Sequence, residues 1–377
     1  MDYRKEALKK HKQLRGKIEV KLKDKLDSID KLSTYYTPGV AAVSSYVAEH
    51  PKEARDYTWL NNSVAVISDG SAVLGLGDIG PYGALPVMEG KAMLFKHFAG
   101  IDAVPIVLDV HTADEIVSAV LAIAPSFGGI NLEDINAPKC FEVEERVKAA
   151  LSIPVMHDDQ HGTAIVVLAG LINAAKVTGK NLKKCKIVCV GAGAAGTAVM
   201  KLIYMYAKSE ILMVDSKGIV SRARKDLNNE KKKLLDFTNP KNVKGTLADA
   251  LKGADIFIGV SQAGLLTAAM VKDMAEGPII FAMANPVPEI MPDIARKAGA
   301  AVIATGRSDF PNQVNNALAF PGVFRGALDN RVKQITDKHK IKAAEVIASL
   351  IKKPTADCII PSVLDKRLVP AIAKVIT

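Results

Sequence analysis

The stretch Ile187-Val188-Cys189-Val190-Gly191-Ala192-Gly193-Ala194-Ala195-Gly196 decides how this chain is read. Its apolar start predicts a buried strand, its glycines a tight turn, and the following Thr197-Ala198-Val199-Met200 the opening of a helix. Asp215 lies 19 residues beyond Gly196 and closes a second apolar strand, Ile211-Leu212-Met213-Val214. A bare G-x-G-x-x-G says little. Set between a strand and a helix, with an acid about 20 residues on, it is a dinucleotide-binding fingerprint. Gly191 permits the turn, and Gly193 lets the backbone approach a pyrophosphate without a Cβ in the way; Ala194 and Ala195 complete the cofactor-binding turn. Gly196 lets the helix lie close to the strand. The helix start offers unpaired N–H groups and a positive dipole end to the phosphates. Asp215 is placed to take the ribose hydroxyls of the adenosine half. The plain alternative, a glycine turn that binds nothing, has no use for that acid.

At 377 residues the chain exceeds what one core usually supports, so two domains are expected. Hydrophobic residues make up 49% and charged residues 24%, the composition of a globular protein and not of a disordered one. No apolar run reads as a membrane span, and Met1-Asp2-Tyr3-Arg4-Lys5-Glu6 lacks a signal peptide's apolar core, so a cytoplasmic location is expected. The four cysteines form no C-x-x-C pair and read as reduced, mostly core thiols. The formal charge of +10 collects in the first 31 residues and at Lys231-Lys232-Lys233. Solvated helix faces explain such lysines, and no aromatics interleave with them to stack bases, so nucleic acid is not an expected partner. A positive field helps gather an anionic substrate.

Residues 1–31 are expected to be helical, with little to bury on their own and a partner chain as their natural dock. Pro38 and Gly39 then mark a loop, with a helix expected from Ala41 to His50. A strand over 64–70 leads to Leu74-Gly75-Leu76-Gly77-Asp78-Ile79-Gly80-Pro81-Tyr82-Gly83, too rich in glycine for a regular element. A helix from Glu89 to Phe98 carries Lys91, and strands over 104–110 and 128–132 flank a helix over 113–124. A boundary is expected near His157-Asp158-Asp159-Gln160-His161-Gly162, before a helix from Thr163 to Ala175. Alternating strands and helices predict parallel α/β architecture. The expected organisation is a helical segment 1–31, an α/β substrate and metal domain 32–160, and a doubly wound, Rossmann-like domain 161–377 with C-terminal helices.

Ligands in such sheets bind beyond the carboxyl ends of the strands. Polar residues expected at those ends are Glu133 and Asp134, Asp158 and Asp159, and Asn285. Converging carboxylates repel unless a cation neutralises them, and a hard divalent ion such as Mg²⁺ or Mn²⁺ prefers oxygen donors. Helix capping and solvation account for isolated acids equally well. Lys91 stands among Ala92, Met93 and Leu94; burial would depress its pKa and make it a general base, whereas a snorkelling lysine does nothing. Tyr36 offers a phenol, and Asn285, Asn315 and Asn316 offer amides.

These stretches together closely resemble the malic enzymes, in particular the short-subunit prokaryotic kind. The resemblance lies in Tyr36-Thr37-Pro38-Gly39-Val40, Ser68-Asp69-Gly70, Leu74 to Gly80, Glu89-Gly90-Lys91, Asn131-Leu132-Glu133-Asp134, His157 to Thr163, Asn285-Pro286, Gln313 to Ala317 and Phe320-Pro321-Gly322. It spans Leu32 to Gly326. It implies oxidative decarboxylation of L-malate to pyruvate and CO₂, with reduction of NAD or NADP. It further implies Mg²⁺ or Mn²⁺ held by Glu133, Asp134 and Asp159, Lys91 as base, and Tyr36 as the donor that protonates the enol. Asn285 and Asn316 would orient substrate, Asn285 also binding the cofactor, and Asp158 would support the metal or Lys91. A homodimer is implied, with the site near its interface. Larger members carry an arginine for a substrate carboxylate where Ser71-Ala72-Val73 stands here. Asp215 favours NAD, while Ser216, Lys217, Arg222 and Arg224 offer to accommodate a 2′-phosphate. The competing readings are another decarboxylating or amino-acid-type dehydrogenase, and a dinucleotide sensor without catalysis.

Overall fold

Alternation within short strands sorts the chain into layers. Along β1 (Ser63–Ser68), Val64 and Val66 join one apolar cluster, Ala65 and Ile67 another, and every residue is buried. A strand covered on both faces has this character. The computed structural model describes residues 3–73 and 76–377. Met1 and Asp2 of the expected helical segment, and Leu74 and Gly75 of the glycine-rich run, lie outside the described residues.

An N-terminal arm precedes the first sheet: α1 (Tyr3–Leu14), α2 (Ile29–Tyr35), α3 (Val40–Glu49) and α4 (Ala54–Tyr57), none of which buries a residue. Helix through residue 31 is not found. Arg15 and Gly16, at φ 57° and 113°, stop α1, and residues 17–28 run on without helix. There Lys17 ties the arm to the body, its N–H donating to Glu89 (3.2 Å) and its ammonium to the carbonyl of Pro86 (2.5 Å).

The first sheet continues with α5 (Gly80–Ala99), β2 (Asp102–Val107), α6 (Ala113–Ile123), β3 (Gly129–Leu132), α7 (Lys139–Ala150) and β4 (Val155–His157). Its order is β2-β1-β3-β4, all parallel. The direction of winding changes between β1 and β3, which makes their carboxyl ends a switch-point crevice. The glycine-rich run is more regular than expected. Gly80 opens α5 nine residues ahead of Glu89, because Pro81 sits in the first turn, where its missing N–H costs nothing.

From β4 the chain passes directly into α8 (Asp158–Thr178), so the acids expected in a boundary loop form the first turn of a helix. By length and composition α8 would cross a membrane, with a mean hydropathy of 1.3. Contrary to expectation, then, one segment does qualify as a span, but it is core: from Ala164 to Ala175 only Ile172 escapes burial.

The second sheet follows through β5 (Lys186–Val190), α9 (Ala194–Ala207), β6 (Glu210–Asp215), β7 (Gly218–Ile219), α10 (Asn229–Leu234), α11 (Leu247–Leu251), β8 (Ile256–Gly259), α12 (Ala268–Lys272), β9 (Ile279–Ala282), α13 (Pro292–Lys297) and β10 (Val302–Thr305). The order is β10-β9-β8-β5-β6-β7, parallel except for β7. Its switch point lies between β5 and β8, at the Gly191 turn. Ile187 and Cys189 face the same central cluster as Val64 and Val66, while Val188 and Val190 face a separate one. The two sheets thus share a middle layer built around α8.

The last helices, α14 (Phe320–Asp329), α15 (Asp337–Ser349) and α16 (Leu368–Ala373), do not all stay with the second sheet. Phe320 and Phe324 of α14 pack edge-on against Phe95 of α5, with ring centroids 4.6 and 5.4 Å apart. The chain end therefore returns to the first unit and braces the helix that carries Lys91.

Candidate active site

Parallel strands bring together what the sequence separates. Glu133 and Asp134 follow β3, Asp158 and Asp159 follow its neighbour β4, and Asp69 follows β1. Lys91 reaches the same point from α5. Its ammonium lies 2.5 Å from Asp158 Oδ2 and 2.8 Å from Glu133 Oε1, and 4.2 Å above the ring of Phe320. All three charged side chains are buried, so this network is not screened by solvent.

Burial alone would pull the Lys91 pKa down, as the sequence suggested. Asp158 and Glu133 more than offset it and hold the pKa above the ordinary lysine value. Lys91 is therefore an ammonium in this structure, and the expectation of a depressed pKa is corrected. Burial also pushes Asp158 up to about 7 against the pull of Lys91, and raises Glu133 and Asp159. The result is a buried ammonium held between two buried carboxylates.

The remaining contacts fix the acidic turn. Asp134, at φ 53°, turns its N–H to Asp159 Oδ2 (2.8 Å). Asn131 donates to Glu133 Oε2 (2.8 Å). Asp158 Oδ1 and Asn131 Oδ1 are buried without a hydrogen-bond partner, and Asp159 keeps about a third (34%) of its side chain open. Gly162 is obligatory here: a Cβ would sit 1.9 Å from Asp158 Oδ1, and 3.1 Å from Cβ of Asn316, which brings Asn316 beside the acids. Glu133 and Asp158 close on Lys91, so among the described residues no three acids stand ready as a metal cage. The donor set nevertheless fits a hard cation. It consists of oxygen donors on adjacent strand ends, two of them carboxylates raised by burial, with unsatisfied oxygens alongside.

Other expected residues lie apart. Tyr36 is 67% exposed on the arm, and no hydrogen bond among the described residues joins it to Lys91. Asn285 follows β9 at a cis peptide to Pro286, with its amide against Gly306 beyond β10. Asn315 caps the turn at 316–318. In the loop 69–73 that lacks the arginine, Ser71 bonds Asp69, whose carboxylate also takes the ammonium of Lys139.

At the glycine turn Gly191 adopts φ 110°, and a Cβ on Gly196 would lie 1.9 Å from the carbonyl oxygen of Gly191. A Cβ on Gly193 would meet nothing within 4 Å, leaving space before the start of α9. Asp215 accepts from Arg224 (2.7 and 3.1 Å), Lys231 (2.6 Å) and the Lys217 N–H (2.9 Å). Burial resists its charge, but these donors hold its pKa below the ordinary value. Arg222 instead points to the carbonyls of Asn239 and Leu235.

Sequence reasoning missed Phe320 under Lys91, Lys231 at Asp215, and Glu144. The last accepts from the His157 N–H (3.0 Å), from His161 Nε2 (2.8 Å) and from Lys148. Burial opposes its charge, but His161, Lys148 and Lys340 outweigh that and keep Glu144 well below the usual carboxylate range. In the sequence Glu144 and Lys148 look like an ordinary i,i+4 surface pair.

Comparison with known proteins supplies an independent line. The model of the malic enzyme NAD-binding domain matches residues 160–375, and that of the malic enzyme N-terminal domain matches 15–115 and 110–148. The bifunctional malic/malolactic enzyme of Bacillus subtilis is 54% identical, over 100% of this chain and 92% of its own. The NAD-dependent malic enzyme of Geobacillus stearothermophilus is 53% identical over 96% and 76%, and the NADP-dependent malic enzyme of Halomonas elongata 45% over 99% and 92%. The crystal structure of the Thermotoga maritima NAD-dependent malic enzyme superposes with a TM-score of 0.95 at 48% identity, covering 98% of both chains.

Proposed function

The chain belongs to the malic enzyme family, and on that premise we propose that it converts L-malate to pyruvate and CO₂, reducing NAD in a reaction that requires Mg²⁺ or Mn²⁺. The observation that carries the site assignment is the buried Lys91–Asp158–Glu133 network at the carboxyl ends of β3 and β4. Glu133, Asp134 and Asp159 would hold the cation. Bound there, it supplies Lewis-acid polarisation of the substrate oxygens and stabilises developing enolate charge.

Lys91 takes the hydroxyl proton of malate as C2 gives up hydride. For this it must first be neutral, and two features of the site favour that. A cation on Glu133 and Asp159 would weaken what holds the ammonium charged, and burial pulls the Lys91 pKa down. Asp158, 2.5 Å from the Lys91 ammonium, is the group placed to take the proton that Lys91 sheds. Asn316 and Asn285 orient the substrate from the second unit. Substrate and metal would lie at the carboxyl ends of β3 and β4, and the dinucleotide at the Gly191–Gly196 turn of the second sheet.

Tyr36 would protonate the enol carbon, and the arm that carries it points to a homodimer. Leu8, Leu14, Val20, Leu22, Leu26, Ile29, Tyr35 and Tyr36 are all more than half exposed, an apolar surface that a second copy would cover. Asp215 retains its carboxylate at the adenosine end, which favours NAD, although Arg224 and Lys231 beside it make NADP a usable second cofactor.

The test follows absorbance of the reduced cofactor with L-malate, in parallel arms with NAD or NADP and with Mn²⁺ or chelator. Metal-dependent reduction, faster with NAD, is expected. Undiminished turnover in chelator removes the metal assignment, and no reduction with either cofactor leaves a dinucleotide sensor.

A further inference from the structure

Asp158 and Asp159 occupy the first turn of α8, where backbone N–H groups have no partner one turn earlier in the helix. His157, at the cap position, makes no side-chain cap bond. The turn is held from α7 instead. Glu144 is buried, with its side chain 8% exposed, and uses both carboxylate oxygens. Oε1 accepts from the backbone N–H of His157 at 3.0 Å, and Oε2 from His161 Nε2 at 2.8 Å. These two histidines bracket the acidic pair, one residue before it and two after. Lys148 closes the carboxylate on α7 itself. Lys340 of α15, 4% exposed and bonded to Asp337 at 2.8 Å, sets a further positive charge toward the same group.

We propose that Glu144 is a positioning residue for the Asp158–Asp159 pair. It fixes the entry of α8 so that Asp158 meets Lys91 and Asp159 faces the Asp134 turn. Glu144 touches neither acid side chain. It acts by holding the backbone N–H just before them and the ring one turn along, which sets both the origin and the rotation of that turn. A buried carboxylate satisfied by three donors makes a stiff anchor, because losing it strands those donors inside the protein. Misplacing reacting groups by about 1 Å can cost about 10²-fold in rate, and loss of groups that orient metal ligands typically costs 10–100-fold in metal affinity. The assignment rests on the roles proposed above for Asp158 and Asp159.

The test compares Glu144→Gln and Glu144→Ala with the wild-type chain. Hydrogen exchange of the apoprotein reads the anchor directly: protection of a peptide covering residues 155–162 is expected to fall at least about tenfold, with α9 unchanged. Calorimetric titration with Mn²⁺ alone is expected to show about 10–100-fold weaker binding, with KM for NAD within twofold of wild type. Glu144→Gln keeps the volume and one acceptor, so it should fold and lie between wild type and alanine. Unchanged exchange at 155–162 in a folded variant overturns the proposal. So does a lower Tm with unaltered Mn²⁺ affinity, which is what simple α7–α8 adhesion would give. If the wild-type chain itself binds no Mn²⁺, the metal reading fails and the exchange measurement alone decides the anchor.

Discussion

Replacing Lys91 with methionine removes the charge and nearly preserves the stem, which isolates the electrostatic role of the residue. Side chains of Lys91, Glu133 and Asp158 are 7%, 5% and 0% exposed, so no solvent steps in when the ammonium is lost. Removing one partner of a buried pair typically costs about 3–5 kcal/mol, because the other charge is left without compensation. At roughly 2–3 °C per kcal/mol for a chain of this size, Tm should fall by about 6–15 °C. The pH dependence gives the sharper check. Without the ammonium, the folded-state pKa values of Asp158 and Glu133 rise further above their unfolded values. A group whose folded pKa is raised is most favourable below its unfolded pKa and loses stability as pH rises through the folded one. The Tm deficit of the variant should therefore be larger at pH 8 than at pH 5.5. Thermal melts of apoprotein at both values, alongside kcat with malate, measure this. A deficit under about 2 °C at pH 8, or a larger one at pH 5.5, would refute the buried-network account. Loss of about 10²–10⁴-fold in kcat is expected from removing an acid–base group; a folded variant with wild-type kcat would return Lys91 to a structural part.

The other expectations address the cofactor turn, cofactor choice, the metal and the brace behind α5. Gly196→Ala places a methyl 1.9 Å from the Gly191 carbonyl, so KM for NAD should rise steeply while Mn²⁺ affinity holds; equal KM would mean that the turn does not contact cofactor. Asp215→Asn removes the charge that pairs with Arg224 and Lys231 and should shift the ratio of kcat/KM values toward NADP; an unshifted ratio places the adenosine ribose elsewhere. Asp159→Ala should abolish Mn²⁺ binding measured by calorimetry while also losing the bond it accepts from the Asp134 N–H, and retained affinity would remove it from the ligand set. Phe95→Ala empties the space between Phe320 and Phe324 and should cost about 3–5 kcal/mol in urea unfolding; a cost below about 1 kcal/mol would deny α14 its bracing role.

Local pattern made much of the fold legible. The Gly191–Gly196 turn, the apolar strands around it and the acids at strand ends could all be read because each depends on residues close in sequence. Legibility ended where the third dimension assigns meaning. Lys91 looked like a buried lysine with a depressed pKa, and only the approach of Asp158 and Glu133 from two other strands reverses the sign. Pro81 reads as a breaker in the middle of a glycine run but opens a helix when it falls in the first turn. Glu144 could not be distinguished from a solvated helix acid until α8 was seen to start against it. Phe320 lies 229 positions from Lys91, and no pattern in the chain links an aromatic to an ammonium so far away.

In the function proposed above, one buried cluster directs both oxidation and decarboxylation of the same substrate. The most direct measurement is product stoichiometry with L-malate, NAD and Mn²⁺. Pyruvate, CO₂ and reduced NAD are expected in equal amounts, each matching the malate consumed. Reduced NAD accumulating with oxaloacetate and no CO₂, or malate consumed without reduced NAD, would contradict the account.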